Sequence, residues 1–170
     1  SDNVSYKMTG IVNHGMYDRY YHDEIGVNSR LDSIQAAILN VKLKYLDKYN
    51  KRRQEAANHY NAAFENIDQI EIPFIESDID SHVYNQNNLK IINGKRDELA
   101  DHLLKKNIPF GIYYPLGFHE QKAYKQEFVS DNDFPVTNKV KNQVISLPMH
   151  TELSKKQIKF IPNTIISFFE

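Results

Sequence analysis

Apolar residues recur every three or four positions over one long stretch of the first half of the chain. This stretch runs from Ser29 to about Ile67 without Gly or Pro, so the spacing predicts one long helix or two nearly collinear ones. A second apolar stripe in its first half, at Leu39, Leu43 and Leu46, predicts burial on two sides there. Ser29 and Asp32 have the spacing of a capping box, which predicts that the helix begins at Asn28 or Ser29.

Short strand and helix patterns alternate over the rest of the chain. Strands are predicted at residues 69–75, 83–92, 108–114 and 143–147. Helices are predicted at residues 95–106, 121–128 and 135–142, and a last helix is capped by Ser154 and bent by Pro162. The pattern therefore predicts an α+β fold in which a long helix, residues 29–67, leads into a small domain, residues 68–170.

Composition excludes several classes of protein. The chain has 170 residues, of which 41% are hydrophobic and 25% charged, as in ordinary globular proteins. It has no cysteine, which excludes disulfides, thiolate metal sites and thiol nucleophiles. A net charge of -1 creates no overall field that would attract nucleic acid or an anionic membrane. Without a signal peptide or a run of about 18 apolar residues, a soluble cytoplasmic protein is expected.

One polar segment at the predicted helix start suggests anion binding. The amide of Asn28 and the guanidinium of Arg30 would lie beside free backbone N–H groups, where phosphate or carboxylate binds readily. The alternative is that Asn28 only caps the helix and Arg30 forms a surface ion pair. His14 and His22 are not expected to bind a metal, because no third ligand at a recognisable spacing accompanies them.

Two sequence motifs resemble those of one enzyme family. The first is GVNSRLD at residues 26–32, followed by QAAIL at residues 35–39; the second is YYP at residues 113–115, followed by HEQ at residues 119–121. Further matches are HG at 14–15, RDEL at 96–99, NIP at 107–109 and SLPMH at 146–150. Together they resemble the DegT/DnrJ/EryC1/StrS family of sugar aminotransferases over almost the whole chain.

The resemblance implies the fold and the activity of an intact parent enzyme. It implies that residues 68–170 are the small C-terminal domain of an aspartate-aminotransferase-like (PLP fold type I) enzyme, with an antiparallel or mixed sheet covered by helices. The parent is expected to be a pyridoxal 5'-phosphate-dependent homodimer that transfers an amino group from glutamate to a UDP- or dTDP-linked keto sugar. Residues 1–28 would then be a remnant of the large-domain active-site segment, expected to be poorly packed here.

The resemblance also implies that this chain alone lacks catalytic residues. In the family, the Schiff-base lysine belongs to a motif upstream of the His14-Gly15 segment, and nothing in residues 1–13 resembles that motif. The isolated chain is therefore expected to be inactive. A family dehydratase, with histidine in place of the lysine, remains open for the parent. A noncatalytic dimerisation or nucleotide-sugar-binding module is the alternative for the chain itself.

The family assigns roles to five residues of this sequence. Asn28 is expected to contact the cofactor phosphate of the partner subunit, and Arg30 to lie near the bound substrate or its carboxylate. Tyr113, Tyr114 and His119 are expected at the mouth of the substrate site. A tyrosine at position 113, where many relatives have histidine, favours UDP-linked acetamido sugars over dTDP-linked keto sugars. The alternatives are packing for the tyrosines and a contact to a loop carbonyl for His119.

Overall fold

The chain folds into two compact units, Ser1–Leu46 and Asp47–Glu170, in a computed structural model that describes residues 2–75, 82–122 and 131–170. The boundary lies at the start of a helix, within the segment that the sequence assigns to the long helix.

The first unit consists of helices and one short hairpin. Helix α1 spans Asp2–Val12, strands β1 (Met16–Asp18) and β2 (Tyr21–His22) pair antiparallel, and helix α2 spans Ser33–Leu43. Gly15 lies at the start of the hairpin with φ +75°, and a Cβ there would come 1.8 Å from the carbonyl oxygen of Glu24. Only a glycine fits this turn, because the position combines left-handed backbone with direct contact to another chain segment.

The expected burial of the first helical segment on two sides is wrong. Along α2, the exposed fraction is 75% for Ile34, 55% for Ile38 and 67% for Leu43, and no residue of the helix is buried. Among residues 2–46, only Gly10 and Gly15 are buried. The periodicity correctly predicts an amphipathic helix, but the described residues of this chain place no cover over its apolar side.

The predicted long helix is two helices. Helix α2 ends at Leu43, and α3 begins at Leu46 and continues to Phe64. Between them, the backbone N–H of Tyr45 donates to the carbonyl oxygen of Lys42 in a turn that interrupts the helical pattern. Of the two arrangements that the spacing allowed, the structure therefore contains the interrupted one.

The second unit is built on a three-stranded antiparallel sheet. Strands β3 (Ile70–Glu71), β4 (Asn87–Ile91) and β5 (Val144–Leu147) lie in the order β3-β4-β5, with Leu89 opposite Ile145. Helices α4 (Arg96–Lys105) and α5 (Pro135–Val140) lie between β4 and β5 in the chain, with short 3-10 turns at Phe118–Glu120 and Asp131–Asp133, and helix α6 (Lys155–Phe169) follows β5. This confirms the predicted α+β class, and the described strands form an antiparallel sheet.

A hydrophobic core joins the sheet to the helices of this unit. Its fully buried members come from α3, β4, α4, β5 and α6, namely Tyr60, Leu89, Ile91, Leu99, Leu103, Ile145 and Ile165. The hydroxyl of Tyr60 donates to the carbonyl oxygen of Pro148 at 3.1 Å, which satisfies the polar end of a buried ring. The sequence pattern predicts Leu99, Leu103 and Leu104 on the inward side of α4. This is confirmed for Leu99 and Leu103 and wrong for Leu104, which is exposed to 60%.

Arg53 ties α3 to two other segments of the second unit. Its Nη1 donates to the carbonyl oxygens of Tyr84 and Met149, each at 3.2 Å. A guanidinium can serve several carbonyl acceptors at once because its donors are arranged in a planar fork. One side chain therefore holds together the segment before β4 and the segment after β5.

Several predicted elements differ in extent from the observed ones. The predicted strand at 108–114 is reduced to a single bridge, in which Gly111 and Ser146 exchange backbone hydrogen bonds. Pro109 cannot donate to a ladder, and Pro115 follows, so a longer pairing is disfavoured. The strands predicted at 69–75 and 83–92 are shorter than expected. Most of the helix predicted at 121–128 lies outside the described residues.

None of the described helices is long and apolar enough to cross a bilayer.

Candidate functional site

The segment that contains Asn28 and Arg30 is extended rather than helical. Asn28 forms an antiparallel bridge with Asn13. On either side of it, the backbone N–H of Val27 donates to Ile11 O at 2.8 Å, and that of Ser29 donates to Val12 O at 3.0 Å. The segment is therefore fixed along the end of α1 by backbone pairing.

The predicted cap at Ser29 is wrong, because α2 begins at Ser33, five residues after the earlier of the two predicted starts. Asp32 is the N-cap: its carboxylate accepts from the N–H of Gln35 at 2.8 Å, and its own N–H donates to the Gln35 side chain at 3.4 Å. Gln35 has the reach that a capping box needs, whereas Asp32 is too short to serve Ser29 in that way. The free N–H groups of the helix start are therefore not at Asn28, and an anion there must be bound by side chains.

Arg30 orients the amide of Asn28. Its Nε donates to Asn28 Oδ1 at 3.3 Å, and its Nη1 donates to Asn13 Oδ1 at 3.2 Å. Since a guanidinium can only donate, the oxygen of the Asn28 amide must face it, and the NH₂ group of Asn28 faces away. The three side chains leave an amide donor and a guanidinium next to each other on an exposed surface.

The charge of Arg30 is not neutralised locally. No acidic side chain among the described residues forms an ion pair with it. An exposed guanidinium with donors to spare is a binding group for carboxylate or phosphate. Asn28 and Arg30 can therefore bind an anion together, with a neutral donor and a cationic one.

The second candidate group lies in the second unit, around a cavity of about 850 Å³. Tyr113, Tyr114 and His119 all line it, together with Phe118 and Phe134. The rings of Tyr113 and Tyr114 lie 5.7 Å apart, and their exposed fractions are 44% and 68%. The structure thus brings these three predicted residues to one aromatic cavity, of a size typical of small-molecule sites.

His119 is held by stacking and by the shape of the turn before it. Its ring stacks on Phe134 with centroids 4.5 Å apart and an interplanar angle of 18°. A Cβ on Gly117 would come 2.6 Å from Cε1 of His119 and 3.0 Å from Cγ2 of Thr137. Gly117 is therefore required for the imidazole to lie against Phe134.

Glu120 and Lys141 fix the turn, and the sequence did not reveal their pairing. The Glu120 carboxylate accepts from the backbone N–H of Gly117 at 2.7 Å and forms an ion pair with the ammonium of Lys141. The hydrogen bond from Lys141, followed by that from Gly117, lowers the pKa of Glu120 below its usual value. Only the position of Glu120 inside the HEQ motif marked it beforehand, because Lys141 lies 21 residues away.

The two histidines near the hairpin are joined by a side-chain-to-backbone contact. Nδ1 of His22 lies 2.8 Å from the carbonyl oxygen of His14. Over the described ranges, no group of three or more His, Asp or Glu side chains is arranged to hold a metal ion. Asn28 and Arg30 thus stand as the candidate group of the first unit, and the aromatic cavity as that of the second.

The α+β fold of this chain is that of pyridoxal-phosphate-dependent aminotransferases of the aspartate-aminotransferase-like class. The crystal structure of DesV from S. venezuelae superimposes with a TM-score of 0.88 at 28% identity, over 100% of this chain and 45% of that chain. The chain belongs to the DegT/DnrJ/EryC1/StrS aminotransferase family, whose model matches residues 1–166. Structures of the same fold include one from Bacillus subtilis with the cofactor PMP bound.

Three curated relatives show how varied the similar proteins are. A pleiotropic regulatory protein of Geobacillus stearothermophilus is 34% identical over 99% of this chain and 45% of its own length. The dTDP-3-amino-3,6-dideoxy-alpha-D-galactopyranose transaminase of Aneurinibacillus thermoaerophilus is 34% identical over 90% of this chain and 40% of its own. The UDP-2-acetamido-2-deoxy-3-oxo-D-glucuronate aminotransferase of Pseudomonas aeruginosa is 36% identical over 94% and 43% respectively. The chain thus spans less than half the length of these relatives.

The residues of the first unit fit one part of the family cofactor. A phosphate monoester needs several hydrogen-bond donors, and the outward NH₂ group of Asn28 beside the Arg30 guanidinium supplies donors of both kinds. Neither side chain offers an amine that could hold the cofactor covalently. The donor set therefore suits the phosphate end of pyridoxal phosphate and not its reactive carbonyl.

Proposed function

We propose that this chain is the C-terminal portion of a pyridoxal-phosphate-dependent nucleotide-sugar aminotransferase. The intact enzyme would move the amino group of glutamate to a UDP- or dTDP-linked keto sugar. Membership of the aminotransferase family supports the reaction class. The observation that carries the proposal for this chain is the Asn28 amide, which Arg30 turns so that its donor faces outward.

In this proposal the chain contributes one side of a shared site. Asn28 donates to the cofactor phosphate of the partner subunit in a homodimer, and Arg30 binds the substrate or its carboxylate. When bound, pyridoxal phosphate acts as the electron sink for amino transfer. The Schiff-base lysine would lie in the portion of the relatives that this chain does not match, so the 170-residue chain alone would be inactive.

Tyr113, Tyr114 and His119 would contact the nucleotide sugar in the aromatic cavity. The size of the cavity suits a small organic ligand. Tyr113 and Tyr114 are exposed, so they can form hydrogen bonds to such a ligand. The tyrosine at 113 makes a UDP-linked acetamido sugar the first choice and a dTDP-linked keto sugar the second. Both nucleotide classes occur in the names of the relatives, so membership of the family does not choose between them.

One observation favours the alternative of a noncatalytic nucleotide-sugar-binding or dimerisation module. The cavity of about 850 Å³ is formed entirely by residues of the second unit, so it could bind a ligand without any further domain. Under this alternative, the chain would bind a nucleotide sugar but would not transfer an amino group in any context.

The reading frame upstream of Ser1 separates the two proposals. A domain encoded there with a lysine in the family motif supports the aminotransferase, whereas a start codon next to residue 1 supports the module. A histidine at the lysine position would instead indicate a dehydratase.

The full-length protein then tests Asn28 directly. Asn28→Ala is expected to raise the dissociation constant of pyridoxal phosphate about tenfold, as for loss of one hydrogen bond to a charged group. The matched control is Asn163→Ala, an exposed asparagine on α6, which should leave the constant unchanged. Equal constants for both variants and the parent would remove Asn28 from the cofactor site.

A further inference from the structure

A groove on the second unit concentrates positive charge. It encloses about 610 Å³ between the middle of α3 and the segment that leads into α6. Arg52, Glu55 and His59 line the α3 side, and Lys155, Lys156 and Lys159 line the α6 side. None of the residues assigned to the proposed aminotransferase site lines it.

The charges in the groove do not cancel. Arg52 is already used, because its Nη1 donates to Glu152 at 2.8 Å and to the carbonyl oxygen of Thr151 at 3.2 Å. None of the three lysine ammoniums forms an ion pair with an acidic side chain of the described residues. Glu55 is the one acidic side chain of the lining besides Glu152. The α6 wall therefore carries an uncompensated positive charge.

This concentration is local and unfavourable without a counter-charge. The whole chain has a net charge of -1, so the excess does not reflect a basic protein. The first turn of α6 contains no acidic residue, although Lys155 and Lys156 lie there beside the positive end of the helix dipole. A ligand with more than one negative charge would relieve the repulsion among these groups.

The shape of the groove indicates the kind of anion. Its lining includes Ala56, which is buried, and the half-buried residues Leu153 and Ile158. A volume of this size admits a metabolite rather than a single inorganic ion. Apolar and cationic side chains that line the same groove suit a molecule with a carbon skeleton and a chain of phosphates.

We propose that this groove is a second ligand site, which binds an organic polyphosphate of the nucleoside diphosphate class. Lys155 and Lys159, one helical turn apart, contact the phosphates, and Leu153 and Ile158 support the organic part. The site is independent of the proposed aminotransferase function, since it shares no residue with Asn28, Arg30 or the aromatic cavity.

The test is a titration of the isotope-labelled chain with uridine diphosphate, followed by amide chemical shifts. The expected result is saturable shifts at amides of residues 52–59 and 151–159. The double variant Lys155→Gln/Lys159→Gln should weaken binding at this site about tenfold or more, as for loss of two charge contacts. Its matched control is Lys105→Gln/Lys106→Gln, two exposed lysines at the end of α4, which should leave the affinity unchanged.

Three outcomes would overturn the proposal. Equal weakening by both double variants would show that only net charge matters. Shifts confined to residues 113–121 and 134–144 would place the nucleotide in the aromatic cavity, which would leave the aminotransferase proposal standing and remove the groove. Saturable binding of inorganic phosphate as tight as that of uridine diphosphate would show a nonselective anion site without a place for the organic part.

Discussion

The two units of this chain use similar helical patterns with opposite results. In the second unit, four apolar residues of α3 are buried, and two of them, Ala57 and Tyr60, have an exposed fraction of 0%. In the first unit, the apolar residues of α2 are left open, with Ile34 exposed to 75%. Amphipathic spacing predicts that a helix has an apolar side, but the cover for that side must come from elsewhere.

The two units also differ in what holds them together. The second unit contains its own sheet and core and can be stabilised by its own residues. The first unit holds its segments together by backbone pairing and a few side-chain contacts around Asn13 and Asn28. The homodimer that we propose would supply the surface that α2 lacks.

The largest contrast is expected in amide hydrogen exchange. Amides of residues 32–46 should exchange about a thousandfold faster or more than those of β4 and β5, because open segments exchange by local fluctuation and core strands only by global unfolding. The measurement is native-state exchange followed by NMR or mass spectrometry. Slow exchange throughout residues 32–46 in the isolated chain would contradict the open state of α2. Slower exchange of the same residues in the full-length protein would indicate that α2 is covered there.

Truncation of one apolar side chain in each unit should give unequal losses of stability. Leu103→Ala removes a fully buried side chain and should lower the free energy of unfolding by about 2–5 kcal/mol. Ile38→Ala changes a side chain exposed to 55% and should alter it by no more than about 0.5 kcal/mol. Urea denaturation of both variants measures the difference, and equal losses would mean that the first unit has a core of its own.

The two capping boxes provide a smaller contrast with matched chemistry. Ser154→Ala removes the cap of α6, which packs in the core, and should cost about 0.5–2 kcal/mol in the main unfolding transition. Asp32→Ala removes the equivalent cap of α2 and should reduce helix content without moving that transition. Circular dichroism during denaturation distinguishes the two effects. A shift of the main transition by Asp32→Ala would show that α2 unfolds together with the second unit.

The smallest expected effect is a pH dependence of stability that comes from one ion pair of the second unit. Because the pKa of Glu120 is lowered in the folded state, its ion pair with Lys141 stabilises the protein above the unfolded carboxyl pKa. That contribution is lost as the pH falls through the lowered folded pKa. Denaturation midpoints measured on acidification should therefore fall less for Glu120→Gln than for the parent, while Glu65→Gln should follow the parent. Parallel curves for all three proteins would exclude a role for the Glu120 pair.

Local sequence rules predicted the features in which near neighbours decide the structure. The Ser154 cap, the helix that opens with Pro135 and the inward spacing of Leu99 and Leu103 all follow from residues within one or two turns. The resemblance to the family is confirmed over residues 1–166, and it also predicted the fold class correctly.

Distant contacts decided the features that the sequence did not predict. The N-cap of α2 is Asp32 rather than Ser29, because backbone pairing with the end of α1 holds residues 27–29 extended. The pair of Glu120 with Lys141 joins positions that no local pattern connects. The open side of α2 depends on surfaces that the described residues of this chain do not supply.

We propose that this chain carries one side of an aminotransferase site and not the catalytic lysine. The experiment that tests this proposal is to incubate the 170-residue chain with pyridoxal phosphate, glutamate and a UDP-linked keto sugar, and to measure formation of 2-oxoglutarate. We expect no rate above that of a mixture without protein. Sustained turnover that depends on the chain would contradict it.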